Sequence, residues 1–181
     1  MARGEKHYNE YYNGDRGQRM FQDADYTLTS TTNAQKAFSP TGATGGAFNA
    51  RAGARYRFRC ELTLTALDSA SGNVAFGFGG TATVSFARWQ TAGIKANSRA
   101  AGTSATNSNH CNSTTITPIA ATAANTATSA AITAWGVLQI NAAGTLIPQV
   151  ALGVAAAAVT ETGSVFEIWD DPSLVTDGDF A

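Results

Sequence analysis

The sequence predicts an all-β protein, a β-sandwich of the jelly-roll kind with about eight antiparallel strands and an extended N-terminal arm. Three observations lead there. "RYRFRCELTLTAL", Arg55 to Leu67, alternates apolar and polar residues almost without error, as side chains do on a strand with one buried face. Further alternating runs are parted by "DSASGN", "GG", "NAAG" and "TETG", all good turn material. No stretch keeps a convincing helical period, and many short strands with glycine at the joints are the mark of sandwiches and jelly rolls.

Taken in order, residues 1–25 form the arm. "MARGEKHYNEYYNGDRGQRMFQDAD" holds nine charged residues and no hydrophobic period, so it is not expected to fold on its own. Tyr8, Tyr11, Tyr12, Arg16, Arg19, Met20 and Phe21 are nevertheless of the types enriched where proteins meet, and they predict an arm that orders on a partner. The sandwich is expected over residues 26–171. "DYTLTSTT" and "KAFSP" are short strand candidates, and Arg55–Leu67 is the strongest. "GNVAFGF" and "TATVSFARW" follow, with Val74, Phe76 and Phe78 on one face, Ala82, Val84 and Phe86 on another, and Gly79 and Gly80 between them as the turn of a β-hairpin.

Residues from about 96 to 131 are rich in Ala, Thr, Ser and Asn and predict a long loop, one edge strand at "TTITPIAAT" near Pro118, and a second loop. "AITAWGVLQI", "TLIPQVALGVA" and "SVFEIWDD" restore the alternation. The alanine-rich "VALGVAAAAV" is not expected to be a helix, because Gly153, its valines and the upstream Pro148 oppose one. Residues 172–181 are a C-terminal tail.

A chain of 181 residues suits one domain plus an extension, since domains run to roughly 100–150 residues. Charged residues make up only 14%, against a usual ~25%, so a chain exposing much apolar surface would be poorly soluble; that favours a subunit of an assembly. All twelve Lys and Arg lie at or before Arg99 with seven of the thirteen acidic residues, and the remainder holds six carboxylates and no basic residue. This split predicts pairing between the two parts, within or between chains. A net charge of −1 opposes a surface built wholly for nucleic acid. No run is apolar for long enough to span a membrane, and the first residues lack the apolar core of a signal peptide, so synthesis in a cytoplasm without export by a visible signal is expected.

The chemistry of an enzyme has no visible constellation. His7 and His110 are the only histidines, and "HC" at His110–Cys111 has no second Cys or His at ligand spacing, so no zinc site is expected. His110 falls in the low-complexity region, a poor place for a rigid base, and no nucleophile elbow occurs. "GFGG" at Gly77–Gly80 lies between strands and is a turn, not a dinucleotide fingerprint. Asp170 with Asp171 and Asp177 with Asp179 lack the Glu of a calcium loop. Cys60, on the apolar face of its strand, is expected to be a small core hydrophobe. Neither cofactor nor metal is expected.

The order "GGAFNARAGARYRFRCELTLTALDSASGNVAFGFGGTATVSFARW", a Ser/Thr/Ala-rich middle, then "AWGVLQINAAGTLIPQVALGVAAAAVTETGSVFEIWDD" resembles virion structural proteins of tailed bacteriophages, over about residues 47 to 171. The shared features are a "Y-x-F-x-x-x-L" strand, a "GTL-I-P-Q" strand and a closing "G-S-x-F-x-I" strand. The resemblance implies a tumour-necrosis-factor-like jelly roll that assembles as a homotrimer on the virion, as head decoration proteins, head fibres or tail-fibre tips do. A short arm in place of a long shaft suits a decoration, or cement, protein that clips onto the major capsid protein. A tail-associated receptor or glycan binder using the Asn/Ser/Thr-rich loops around residues 97 to 115 is the alternative.

Arg55, Arg57 and Arg59 project from one side of a single strand about 7 Å apart, which raises the question of what they face. Glu161, Glu167, Asp170 and Asp171, in the part without basic residues, are the available carboxylates. A contact between subunits is the favoured expectation, ahead of a wet sheet face and of nucleic acid, for which the stripe lacks interleaved aromatics.

Overall fold

The computed structural model describes residues 17–29, 31–39, 46–68, 73–96, 105–120 and 128–171. In these residues the chain forms β1 (Gly17–Phe21), β2 (Tyr26–Thr27), β3 (Gln35–Lys36), β4 (Phe48–Ala50), β5 (Arg55–Thr65), β6 (Val74–Gly79) and β7 (Thr83–Ala96). There follow β8 (Ala105–Ser113), β9 (Ile119–Ala120), β10 (Ser129–Ala142), β11 (Gly144–Leu152), β12 (Val159–Thr160) and β13 (Val165–Asp170). No helix interrupts them among the described residues. Residues 153–158, inside the alanine-rich stretch, lie between β11 and β12 without regular structure.

Two antiparallel sheets pack face to face. One has eight strands along β1-β13-β5-β10-β7-β8, with β12 and β2 continuing beside β5; the other has five, along β3-β11-β6-β9 with β4 beside β11. With the bridging strands β2, β4 and β12 and the β7–β8 pair set aside, eight strands remain. The first lies against the last (β1–β13), the second against the seventh (β3–β11), the third against the sixth (β5–β10) and the fourth against the fifth (β6–β9). That nesting is a long antiparallel ribbon rolled into two sheets, which is a jelly roll.

The core lies between the sheets and follows the strand period. Tyr56, Phe58, Cys60, Leu62 and Leu64 all point inward from β5 and are buried. Phe78 meets Phe58 edge-on at 4.8 Å between ring centroids and Trp89 at 5.9 Å, so aromatic contacts join the two sheets. Burial drives the Cys60 thiol far above its ordinary pKa, with a smaller push from Glu61, as suits a core hydrophobe.

Four sequence expectations are corrected. First, β6 and β7 are not a hairpin: β6 pairs with β11 and β9 in one sheet, β7 with β10 and β8 in the other. The glycines turn a corner between sheets. Gly80 has φ +109°, and a Cβ there would lie 2.1 Å from the Thr145 carbonyl oxygen, which accepts bonds from the Thr81 and Ala82 amides. Second, Phe86 does not share the face of Val84. The β7–β10 register shifts between Gln139 and Ile140, a β-bulge that leaves Val84, Ala87 and Trp89 buried and brings Phe86 outward beside Arg88. Third, the polar stretch "ATNSNHCNS" is strand β8, so His110 stands on a sheet rather than in a loop; the expected edge strand near Pro118 is present as β9. Fourth, the end of the expected arm belongs to the sandwich, because Gly17–Phe21 pairs residue by residue with β13.

Candidate interaction face

The outer face of the eight-stranded sheet carries the residues most in need of explanation. Cross-strand register lines them up in rows. One row runs Arg19 (β1), Glu167 (β13), Arg59 (β5), Trp135 (β10), Gln90 (β7), His110 (β8). The row beside it runs Gly17, Trp169, Arg57, Val137, Arg88, Asn112 along the same strands. Phe21, Ile94 and Trp135, the large apolar side chains that stand exposed among the described residues, all have the outward parity of this face.

The face divides into two halves of different chemistry. On β1, β13 and β5 the charges are satisfied within the chain. Arg19 Nε lies 3.2 Å from Glu167 Oε1, Arg57 Nε donates to Asp171 Oδ2 at 2.8 Å, and Arg59 pairs with Glu61 two residues along its own strand. Asp171 is the deepest member, its side chain 4% exposed, and its amide also donates to the Arg55 carbonyl. Arg51 pairs with Asp170, while Arg55 donates to Gln139 Oε1 at 3.1 Å. Of the four carboxylates expected to partner Arg55, Arg57 and Arg59, Asp171 alone pairs with one of them, while Glu167 pairs with Arg19 and Asp170 with Arg51, all within one chain. Glu161 lies instead in the turn after β12, its amide bonded to the Thr63 carbonyl.

Between Trp169 and Trp135 lies an open hollow of about 530 Å³, lined also by Arg57, Arg59, Thr133 and Val137 and mainly apolar. On the far side of Trp135, across β7 and β8, a second hollow of about 400 Å³ is lined by Arg88, Gln90, His110, Asn112 and Trp135. Here the polar groups are not engaged with one another. Gln90, His110 and Asn112 are exposed and make no side-chain hydrogen bond among the described residues, and Arg88 lies over the Phe86 ring, 5.4 Å from its centroid. Among the described residues no group of three or more His, Cys, Asp or Glu could hold a metal ion.

Of the expected arm residues, Tyr8, Tyr11, Tyr12 and Arg16 lie outside the described residues. Arg19 is paired, Met20 turns inward against the core, and Phe21 is 49% exposed on the edge strand. Sequence reasoning missed Trp135, Gln90 and Ile94, and it placed Asn112 in a loop rather than on a strand. Trp135 was findable: with Ile132, Ala134, Leu138 and Ile140 inward, strand parity sends it out. Gln90 was hidden by the bulge upstream of it, and Asn112 by a strand with little apolar alternation.

No family model matches this chain, and no curated protein matches it. Solved structures that match include two titled as infectious bursal disease virus. The Gx strain structure shares 11% identity at a TM-score of 0.22, over 90% of this chain and 42% of that one. The Gt strain structure shares 13% at a TM-score of 0.21, over 90% and 44%. The chain thus spans less than half the length of those viral chains, a likeness too slight to bear on function.

Proposed function

We propose that this chain is a non-enzymatic structural protein of a bacteriophage virion, a homotrimeric decoration protein attached to the head lattice through the residues that precede β1. The resemblance of residues 47–171 to virion structural proteins supports the class, and the jelly-roll topology agrees with it. The observation that carries self-assembly is a knob and a socket on one face: Phe21 exposed at the β1 edge, and the apolar hollow between Trp135 and Trp169. Aromatic and arginine side chains around a desolvated pocket are the composition of interface hot spots. Knob and socket occupy different places on the same subunit, so their contact is heterologous, and the proposed trimer is the ring in which three such contacts close.

The ion pairs once expected between subunits lie within the chain, so they shape the socket's rim rather than form the contact. Closure is accordingly apolar at its centre and only weakly salt-dependent. Light scattering on the full-length protein, at low and high salt, should give a mass near three times 18.7 kDa. Phe21→Ala should shift it to monomer. A wild-type monomer at both salts would overturn assembly through this face. Deleting residues 1–16 should leave the trimer and abolish attachment to heads; heads that still bind the truncated protein would overturn the anchoring role.

A further inference from the structure

The second hollow calls for a ligand of different chemistry. Trp135 is 43% exposed in mid-sheet, and Gln90 sits directly opposite it, with His110 directly opposite Gln90. Asn112 and Arg88 face each other one step along the same two strands. An aromatic surface is thus bordered by two primary amides, an imidazole and a guanidinium. The amides and the imidazole bond to no other side chain or backbone group of the described residues, whereas the charged groups of the other half of the face are paired.

A ligand that fits must offer a flat apolar face to the indole and a rim of groups that both donate and accept hydrogen bonds, because amides present one donor and one acceptor side by side. It need carry no charge. Arg19, Arg57 and Arg59 are each bound to a carboxylate, which leaves Arg88 as the single arginine lining this hollow, too sparse a cationic surface for a phosphate backbone, whose binding needs several such contacts. A neutral pyranose meets every term. With its substituents equatorial, its axial C–H bonds form an apolar face, and vicinal hydroxyls around its edge pair with amides two at a time.

We infer that the hollow bounded by Trp135, Gln90, His110 and Asn112 is a saccharide-binding site for a neutral pyranose of gluco configuration. The indole of Trp135 stacks on the ring and the polar residues of β7 and β8 hold its hydroxyls. The inference does not require the trimer, whose proposed contact uses the hollow on the other side of Trp135; because Trp135 lines both hollows, the Gln90 and Asn112 substitutions, which touch only the second, separate the two.

The test is titration of the full-length protein with cellotriose and with triacetylchitotriose, read by tryptophan fluorescence and by saturation-transfer NMR. The expected result is a saturable response to at least one of them. Trp135→Ala, and separately Gln90→Ala with Asn112→Ala, should weaken it by about tenfold or more while circular dichroism is unchanged. Phe21→Ala should leave affinity per subunit as it was, even if the mass falls, so failure of the trimer and failure of the sugar site are read separately. No saturable response, or one that survives Trp135→Ala, overturns the inference. So does a Trp135-dependent response to an oligonucleotide or a peptide in place of the sugars, which would assign the hollow to that partner.

Discussion

Gly136 shows how single residues set this face. In mid-β10 it lies opposite Phe58 on one side and Trp89 on the other, both buried, and its missing side chain makes room for them. A Cβ there would sit 2.3 Å from the Trp89 Cβ and 2.4 Å from the Arg88 carbonyl oxygen. Glycine ordinarily weakens a strand, so alanine would help if there were space. Here Gly136→Ala should instead cost roughly 1–3 kcal/mol by overpacking, seen as a lower midpoint in chemical denaturation. Because Trp135 stands on the next residue and Arg88 lines the second hollow, the variant should disturb both. At this scale the sequence was legible where parity alone decides, as for Tyr56, Phe58 and Cys60. For the arginines it offered a set of carboxylates but not the pairing, because Arg57 meets Asp171 across 114 residues and only the fold joins them.

Among the elements, the strongest strand was the plainest to read and the edge strands the hardest. β5 is flanked on both sides and buries one whole face, so its alternation is nearly perfect. β8 pairs on one side only, and the outward residues described on it are His110 and Asn112, so nothing apolar marks it. The β6–β7 corner was misread because glycine serves a hairpin and a crossing between sheets equally well. A smaller junction, between β2 and β12, rests on Asp25. Its carboxylate accepts from the Thr162 amide and hydroxyl, both at 2.9 Å, and those two bonds, the amide first, hold its pKa below the ordinary value. A lowered folded pKa means that the contribution is complete above the unfolded carboxylate's range and is lost as pH falls through it, below about pH 4. Unfolding midpoints followed against pH should therefore drop there for the native protein, and less steeply for Asp25→Asn.

For the molecule as a whole, nesting the first strand against the last makes almost every pairing non-local. β1 meets β13 across nearly the whole described chain, and the entropy of closing so long a loop opposes the contact until it forms. Refolding from denaturant should accordingly occupy roughly milliseconds to seconds, as for other all-β topologies, when followed by stopped-flow tryptophan fluorescence. A microsecond phase carrying the full amplitude would contradict that. On the proposed trimer, three of the proposed saccharide hollows would bind a polymeric glycan more tightly than one does, provided that its spacing spans them.

The β1–β13 pairing has a mechanical side as well. Gly17 lies opposite Trp169, so the chain enters and leaves the sandwich at the same corner. A load that drew those two ends apart would meet the strand pair's hydrogen bonds one at a time, like a zip, and would peel β1 away at low force.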